Sequence, residues 1–426
     1  MQDIKDGRSG WTVVASVREF DLKHGRELRE AFPGQGVAGH SFSEFAGVAH
    51  FHLSGLVESQ LDELVALRPE IGRFIASARK NAKSGGIHRS PFFLRLATEL
   101  LRDGVKPTRL ADWNSPAVLL RKFWEARITT DPGASEREDA LQAICSNMTE
   151  TRSMALSTKE ISLTTVARNA IVELRSRGIL QPPILRHGMR FADEEIRFSH
   201  HLLHDYAIAR SLIPTISTRF VDFAIRKPLL PIFYRQSFMF ALEELWDGPK
   251  GPAGFWECAL KLEGVAQLHG VTRILAPILA SRRLDTLSDL QPLLNAIRTA
   301  SNPDSPAQNA LRHLASGLED VDAETVRASL GAWCLLVDEL ASSLSAIPML
   351  ENPIVLIIAK LNTVCTGAEQ TDLLALNSAA RRVLVHHASK PVSKSWPYAT
   401  LTCVETVYKT FELAPITLHC SPSSRG

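Results

Sequence analysis

The sequence lacks the motifs that would make it a self-sufficient enzyme. It has no G-x-x-x-x-G-K-[ST] phosphate loop, no H-E-x-x-H, no G-x-S-x-G and no EF-hand loop. Gly7-Arg8-Ser9-Gly10 and Ser84-Gly85-Gly86 are glycine-rich but carry neither the lysine nor the strand-loop-helix setting of a phosphate cradle. Its six cysteines, Cys145, Cys258, Cys334, Cys365, Cys403 and Cys420, never form a C-x-x-C pair and mostly sit in apolar helical patterns. That distribution predicts reduced, buried thiols and argues against zinc. The longest aliphatic run, Ile354 to Ala359, is far too short to span a membrane. Met1-Gln2-Asp3-Ile4-Lys5-Asp6 begins nothing like a signal peptide, so a cytoplasmic protein is expected.

Charge of one sign is also missing. The formal net charge is +2, and the first 213 residues hold 29 Lys/Arg against 26 Asp/Glu, so no basic arm stands out. A nucleic-acid partner is therefore not expected from charge alone. What is present is the profile of a globular protein, with 45% apolar and 22% charged residues. At roughly 150 residues per domain the length suggests about three domains.

The expected fold class is mainly α. Trp11 to Val17, ending at Arg18, and Val48 to Leu53 read as two buried parallel-sheet strands. Two such strands cannot make a sheet alone, so Met1 is expected to begin partway through an α/β domain. Apolar residues then recur at helical spacing through Leu61, Leu64, Val65, Ile71, Phe74 and Ile75. Ser90-Pro91 opens a helix that Gly104 closes, and another is expected from about Ser115 to Ile128. A helix around Ala140 to Met148 precedes Ser157-Thr158-Lys159-Glu160, a capping-box pattern, and a periodic stretch stopping at Gly178. Ile184 to Phe191 with Ile196-Arg197-Phe198 suits a small β-hairpin. Helices followed by a hairpin predict a winged helix. Beyond Leu202 eight or nine amphipathic helices are expected, with stripes such as Leu284, Leu287, Leu290, Leu294, Ile297 and Leu330, Trp333, Leu336, Val337, Leu340. Such a succession predicts a HEAT-like α-solenoid.

Three segments share an order. Val13 to Arg18 with Asp21, Ser90-Pro91-Phe92-Phe93-Leu94, and Arg197-Phe198-Ser199-His200 running into Leu203-His204-Asp205-Tyr206-Ala207 together resemble the second half of a NACHT or STAND-type signalling NTPase, over residues 11 to 212. The resemblance implies that Arg18 senses the γ-phosphate, that Pro91 packs on the nucleotide's base and sugar, and that His200, in an F-x-H element, contacts the ADP phosphates. It further implies ATP or ADP with Mg as cofactor in an intact homologue, and a prokaryotic defence or stress-signalling switch. The phosphate loop and acidic Mg-binding strand of that family would precede Trp11, and the first ten residues do not contain them. The implied organisation is an NTPase-core remnant over 1-53, a helical lid over 54-112, a winged helix over 113-200 and a helical-repeat sensor over 201-426. Its partners would be a protein or ligand held by the repeats, and further copies of itself.

Each residue also has a structural reading: a strand-end charge for Arg18, a helix start for Pro91, a histidine wedged between hairpin and helix for His200. Two other functions stay open. One is a winged-helix DNA-binding regulator using Arg168, Arg175 and Arg177 with Arg186, His187 and Arg190 on the wing; the other is a plain helical scaffold. Asp205 and Tyr206 are expected to pack the following helix rather than act as acid and base.

Overall fold

The computed structural model describes residues 22, 26–38, 41, 43–51, 55–81, 86–113, 115–130, 132–160, 165–182, 194–300, 302, 304–389 and 396–413. Twenty-one α-helices and two short strands lie among them, so the chain is mainly α as expected. The expected strand Trp11 to Val17, Arg18, the wing segment Ile184 to Phe191, Cys420 and the tail lie outside the described residues. The chain divides into two compact units, one of Met1–Leu67 with Arg89–Pro91, the other of Arg68–His88 with Phe92–Gly426.

In the first unit, α1 (Arg26–Ala31) and α2 (Glu58–Leu67) flank an irregular segment. The strand expected at Val48 to Leu53 is not formed over its described part. Val48 is buried but meets Pro33 in one isolated antiparallel bridge, and Ala49, His50 and Phe51 continue without a ladder. Proline has no N–H to extend such a pairing. Arg89 closes this unit, its carbonyl accepting from Leu56 N at 2.8 Å and its guanidinium pairing with Glu58 at 3.0 Å. Gly55 is required there, because a Cβ would stand 2.9 Å from the Arg89 carbonyl oxygen.

The second unit begins with α3 (Gly72–Lys80), whose apolar residues Phe74, Ile75 and Ala78 are buried. Pro69 falls in the turn that separates the Leu61 stripe from the Phe74 stripe. Next come α4 (Pro91–Arg102), α5 (Pro107–Ala111) and α6 (Pro116–Trp124), each opened by a proline at its first position, where no N–H is needed. Helix α6 runs into a π turn, Glu125–Thr129, and then α7 (Ala134–Thr151). Arg137, fully buried in α7, ties the pieces together. Its Nε and Nη2 donate to the Ile128 carbonyl at 3.1 and 2.8 Å, and its Nη1 donates to the Pro132 carbonyl at 3.1 Å and to Glu173 at 2.8 Å.

Strand β1 (Ala155–Ser157) pairs antiparallel with β2 (Glu195–Arg197), Leu156 opposite Ile196, and Leu180 bridges Phe198 beside them. Between the strands lies α8 (Thr165–Ser176), ended by Gly178 at φ +74. The capping-box pattern at Ser157 to Glu160 does not start that helix. Ser157 ends β1, and Thr158–Glu160 forms a 3-10 turn. The Thr158 N–H donates to the Glu194 carbonyl at 2.9 Å beside β2, and Ser157 Oγ accepts from the Lys159 N–H at 3.3 Å within that 3-10 turn rather than at the start of α8.

Thirteen of the described α-helices follow His200, more than the eight or nine expected. They are α9 (His201–Leu212), α10 (Ser217–Arg226), α11 (Leu230–Phe233), α12 (Arg235–Trp246), α13 (Gly251–Gly264), α14 (Gly270–Arg283), α15 (Gln291–Thr299), α16 (Pro306–Glu319), α17 (Ala323–Ala328), α18 (Leu330–Ser342), α19 (Glu351–Val364), α20 (Gln370–Ala388) and α21 (Trp396–Leu413). The excess comes from short helices such as α11 and α17, and from breaks inside single apolar stripes. Leu284 to Ile297, for instance, is a 3-10 turn over Leu287–Leu290 followed by α15, with Leu284, Leu290, Leu293, Leu294 and Ile297 buried. The strongest pairings join helices no more than three places apart in the chain, as α9 with α12, α14 with α16, α18 with α20 and α20 with α21. Trp256 of α13 and Trp333 of α18 are the largest fully buried side chains among the described residues. Among the described residues, no helix is long and apolar enough to cross a membrane.

Candidate functional site

His200 sits at the junction of β2 and α9 in extended backbone, the conformation an N-cap requires. Its Nδ1 accepts a hydrogen bond from the Leu202 N–H at 3.2 Å. Capping by a histidine ring needs that nitrogen deprotonated, so the neutral ring carries its proton on Nε2. Burial pushes the His200 pKa down to about 4, and the nearby His201 and Arg95 charges push the same way, against Asp205. At neutral pH the side chain is thus an uncharged ring with a donor at Nε2, suited to a single acceptor oxygen.

The ring is held by α4. Phe92 stacks on His200 with centroids 3.8 Å apart and planes 15° apart. One turn along, Arg95 lies over the Phe92 ring at 5.9 Å, donates to Ser199 Oγ at 3.3 Å and pairs with Glu99 at 3.2 Å. Ser199 Oγ in turn donates to the Gly178 carbonyl at 2.5 Å, and the Ser199 N–H donates to the Ile179 carbonyl at 2.9 Å. Glu99 is also 3.6 Å from Arg127, whose firmer partner is Asp103 at 2.8 Å. These contacts lash the start of α9 to α4 and to the end of α8.

The three residues assigned by resemblance fare differently. His200 is where a ring donor is oriented; Pro91 is the exposed first residue of α4, immediately before Phe92; Arg18 lies outside the described residues. The sequence reading did not single out Phe92 or Arg95 as partners of the histidine. Their signal was only their place one residue and one helical turn beyond Pro91. Tyr206 is buried between Trp124 and Phe240, with ring centroids 5.5 Å from each, and burial raises its pKa well above the usual phenol value. Its ring packs α9 against α6 and α12. Phe198 is buried and meets His204 edge-on at 5.3 Å.

Two of the arginines considered for nucleic acid are engaged within the protein. Arg175 pairs with Glu194 at 2.7 Å, and Arg177 donates to the Arg127 carbonyl at 3.1 Å. Arg168 is exposed, while Arg186, His187 and Arg190 lie outside the described residues. Five cysteines, Cys145, Cys258, Cys334, Cys365 and Cys403, are buried without a disulfide. Among the described residues no group of His, Cys, Asp or Glu is arranged to hold a metal ion. Comparisons with protein families, with curated proteins and with solved structures find no match to this chain.

Proposed function

We propose that the chain is the regulatory and sensor portion of a STAND-type, NTP-dependent signalling switch, not catalytic by itself, with a helical lid, a winged helix over 113-200 and a HEAT-like sensor from 201 onward. The observation that carries this reading is the seating of His200, an uncharged capping histidine stacked on Phe92 at 3.8 Å and directed by the β2–α9 junction. In an intact switch such a ring would donate Nε2–H to a phosphate oxygen of ADP, and movement of α9 would break or make that contact.

The winged-helix part is supported by the order α7, β1, α8, β2 with β1 and β2 paired antiparallel. The solenoid part is supported by packing between near neighbours along the chain. One uncharged donor and a proline do not replace a cradle of backbone N–H groups, so the phosphates and Mg would need donors from outside this sequence. The DNA-binding alternative is weakened by the internal engagement of Arg175 and Arg177.

Calorimetric titration of ATP and of ADP, each with Mg, into the full chain and into His200→Ala tests the proposal. Weak binding, because this sequence has no phosphate cradle, that the substitution lowers further is expected. Equal binding by both proteins, or no heat from either, would overturn the nucleotide role of His200. A shift assay on duplex DNA at two salt concentrations tests the alternative, which requires tight, salt-sensitive binding.

A further inference from the structure

A pocket of about 410 Å³ opens where the C-terminal ends of α7 and α10 meet the start of α12. Leu212, Phe223, Leu229 and Phe233 supply apolar wall, and Leu229 and Phe233 stand 52% and 53% exposed. Tyr234, just before α12, donates its hydroxyl proton to the Met148 carbonyl in the last turn of α7 at 3.0 Å, so two of the walls are tied together. A concavity with apolar walls and a few placed polar groups is the usual form of a small-ligand site.

The charged groups of the lining are mostly cations. Arg152, Arg226 and Lys227 line the pocket and are exposed, against Glu150 as the one carboxylate among the lining residues. None of the three cations has an ion-pair partner among the described residues. Arg226 spends only its Nε, on the Asp222 carbonyl at 3.3 Å, and the Arg152 guanidinium lies over the Phe233 ring at 4.5 Å. Three cations against one carboxylate leave a formal +2. The C-termini of α7 and α10, each worth about half a negative charge, account for roughly one unit of it, so about one positive unit stands without a counter-charge. Arg152 is also the one described non-glycine residue in the left-handed region, at φ +53 immediately after α7. Glycine takes that position without a Cβ penalty, so ending the helix does not explain an arginine there. We propose that this pocket binds an aromatic carboxylate, its anionic group against Arg152 and Arg226 and its ring against Phe233 and Leu229.

Each part of that ligand answers a feature of the pocket. A carboxylate matches the planar fork of a guanidinium in geometry and sign, and a single negative charge matches the one uncompensated unit. An aromatic body covers the half-exposed Phe233 and Leu229 and stacks beside the Arg152 guanidinium, which an anion without a ring cannot do. The walls come from α7 on one side and from α10 to α12 on the other, so an occupant bridges the proposed winged helix and the first helices of the proposed sensor. The biological meaning of such a bridge rests on the sensor reading; the binding itself does not, since it is measured without nucleotide.

The test is calorimetric titration of 1-naphthylacetate into the full chain, with 1-naphthylacetamide, 1-naphthylmethylamine and acetate as neutral, cationic and ring-free counterparts. Saturable binding of the naphthylacetate is expected, at least tenfold tighter than any counterpart and weakened by added salt. Arg152→Gly, which suits the left-handed backbone and removes the guanidinium, should weaken it at least fivefold without lowering the thermal midpoint, and Arg226→Gln should weaken it by a similar factor. Arg219→Gln, an equal loss of charge at an exposed residue of α10 outside the pocket lining, should leave it unchanged. Any counterpart binding as tightly as naphthylacetate, unchanged binding by Arg152→Gly and Arg226→Gln, an equal loss in Arg219→Gln, or no saturable heat would each overturn the proposal. None of these results depends on whether ATP or ADP binds.

Discussion

The imidazole of His200 lies nearly parallel to the ring of Phe92, at 3.8 Å between centroids. The contact joins the second residue of α4 to the residue that caps α9, segments more than a hundred residues apart in sequence. A ring that caps through Nδ1 and stacks on a phenyl face is stable only when uncharged, because protonation removes the acceptor and burial penalises the cation.

That relationship predicts a pH-dependent stability. The folded-state pKa of His200 is lowered from 6.5 to about 4, so its contribution is fully present above pH 6.5 and is lost as pH falls toward 4. Relative to His200→Asn, which can still cap α9 but does not titrate, the unaltered chain should lose about 1–2 kcal/mol across that interval, with partial solvent screening included. Thermal denaturation of both proteins from pH 7.5 to 4 measures it. A constant difference would mean that the ring is not held neutral.

Glu243 has the opposite shift and a different window. Its pKa is raised to about 7, so the stability held by its proton is complete below pH 4.5 and is lost as pH rises to 7, then stays level. Glu243→Gln should therefore gain on the unaltered chain by about 2–3 kcal/mol between pH 4.5 and pH 7.5. Denaturant midpoints for the pair at four pH values would reveal the trend, and a flat difference would contradict it.

Arg137 is the buried guanidinium that holds the π turn against α7 and α8. Arg137→Met keeps the length of the side chain and removes every donor, leaving the Ile128 and Pro132 carbonyls without a partner from it. A loss of about 2–4 kcal/mol is expected in urea unfolding. Glu173→Gln, at the half-exposed end of the same pair, should cost less than about 1 kcal/mol.

The buried thiols should be inert. Burial raises the pKa of Cys145, Cys258, Cys334, Cys365 and Cys403, so each is protonated and shielded at pH 8. In Cys420→Ser, no thiol should react with Ellman's reagent in the native state, and five should react after denaturation in guanidinium. A fast-reacting thiol in the native variant would show that one of the helices carrying them opens readily.

The helical class, the proline-initiated starts of α4 and α6, and the inward stripe of α18 were all legible in the residues. Each rests on contacts within four or five positions, where periodicity and capping chemistry act. Legibility failed where a distant segment competed. Ser157 to Glu160 carries a cap pattern, yet the backbone there is claimed by β2, some forty residues on. Val166 and Val172 fit the apolar period of α8 but face solvent, because only one side of that helix meets α7.

The amino-acid sequence alone determined the dominance of helix, the reduced state expected of the cysteines and the position of His200 just before a helix, since these follow from local spacing and from each residue's own chemistry. Only the tertiary structure decided what His200 touches, that Arg175 and Arg177 are engaged internally, and that Glu243 Oε2 is shut off from solvent without a hydrogen-bond partner. The reason is physical. A side chain's charge state and availability depend on burial and on the groups packed against it, and here those groups come from helices remote in sequence.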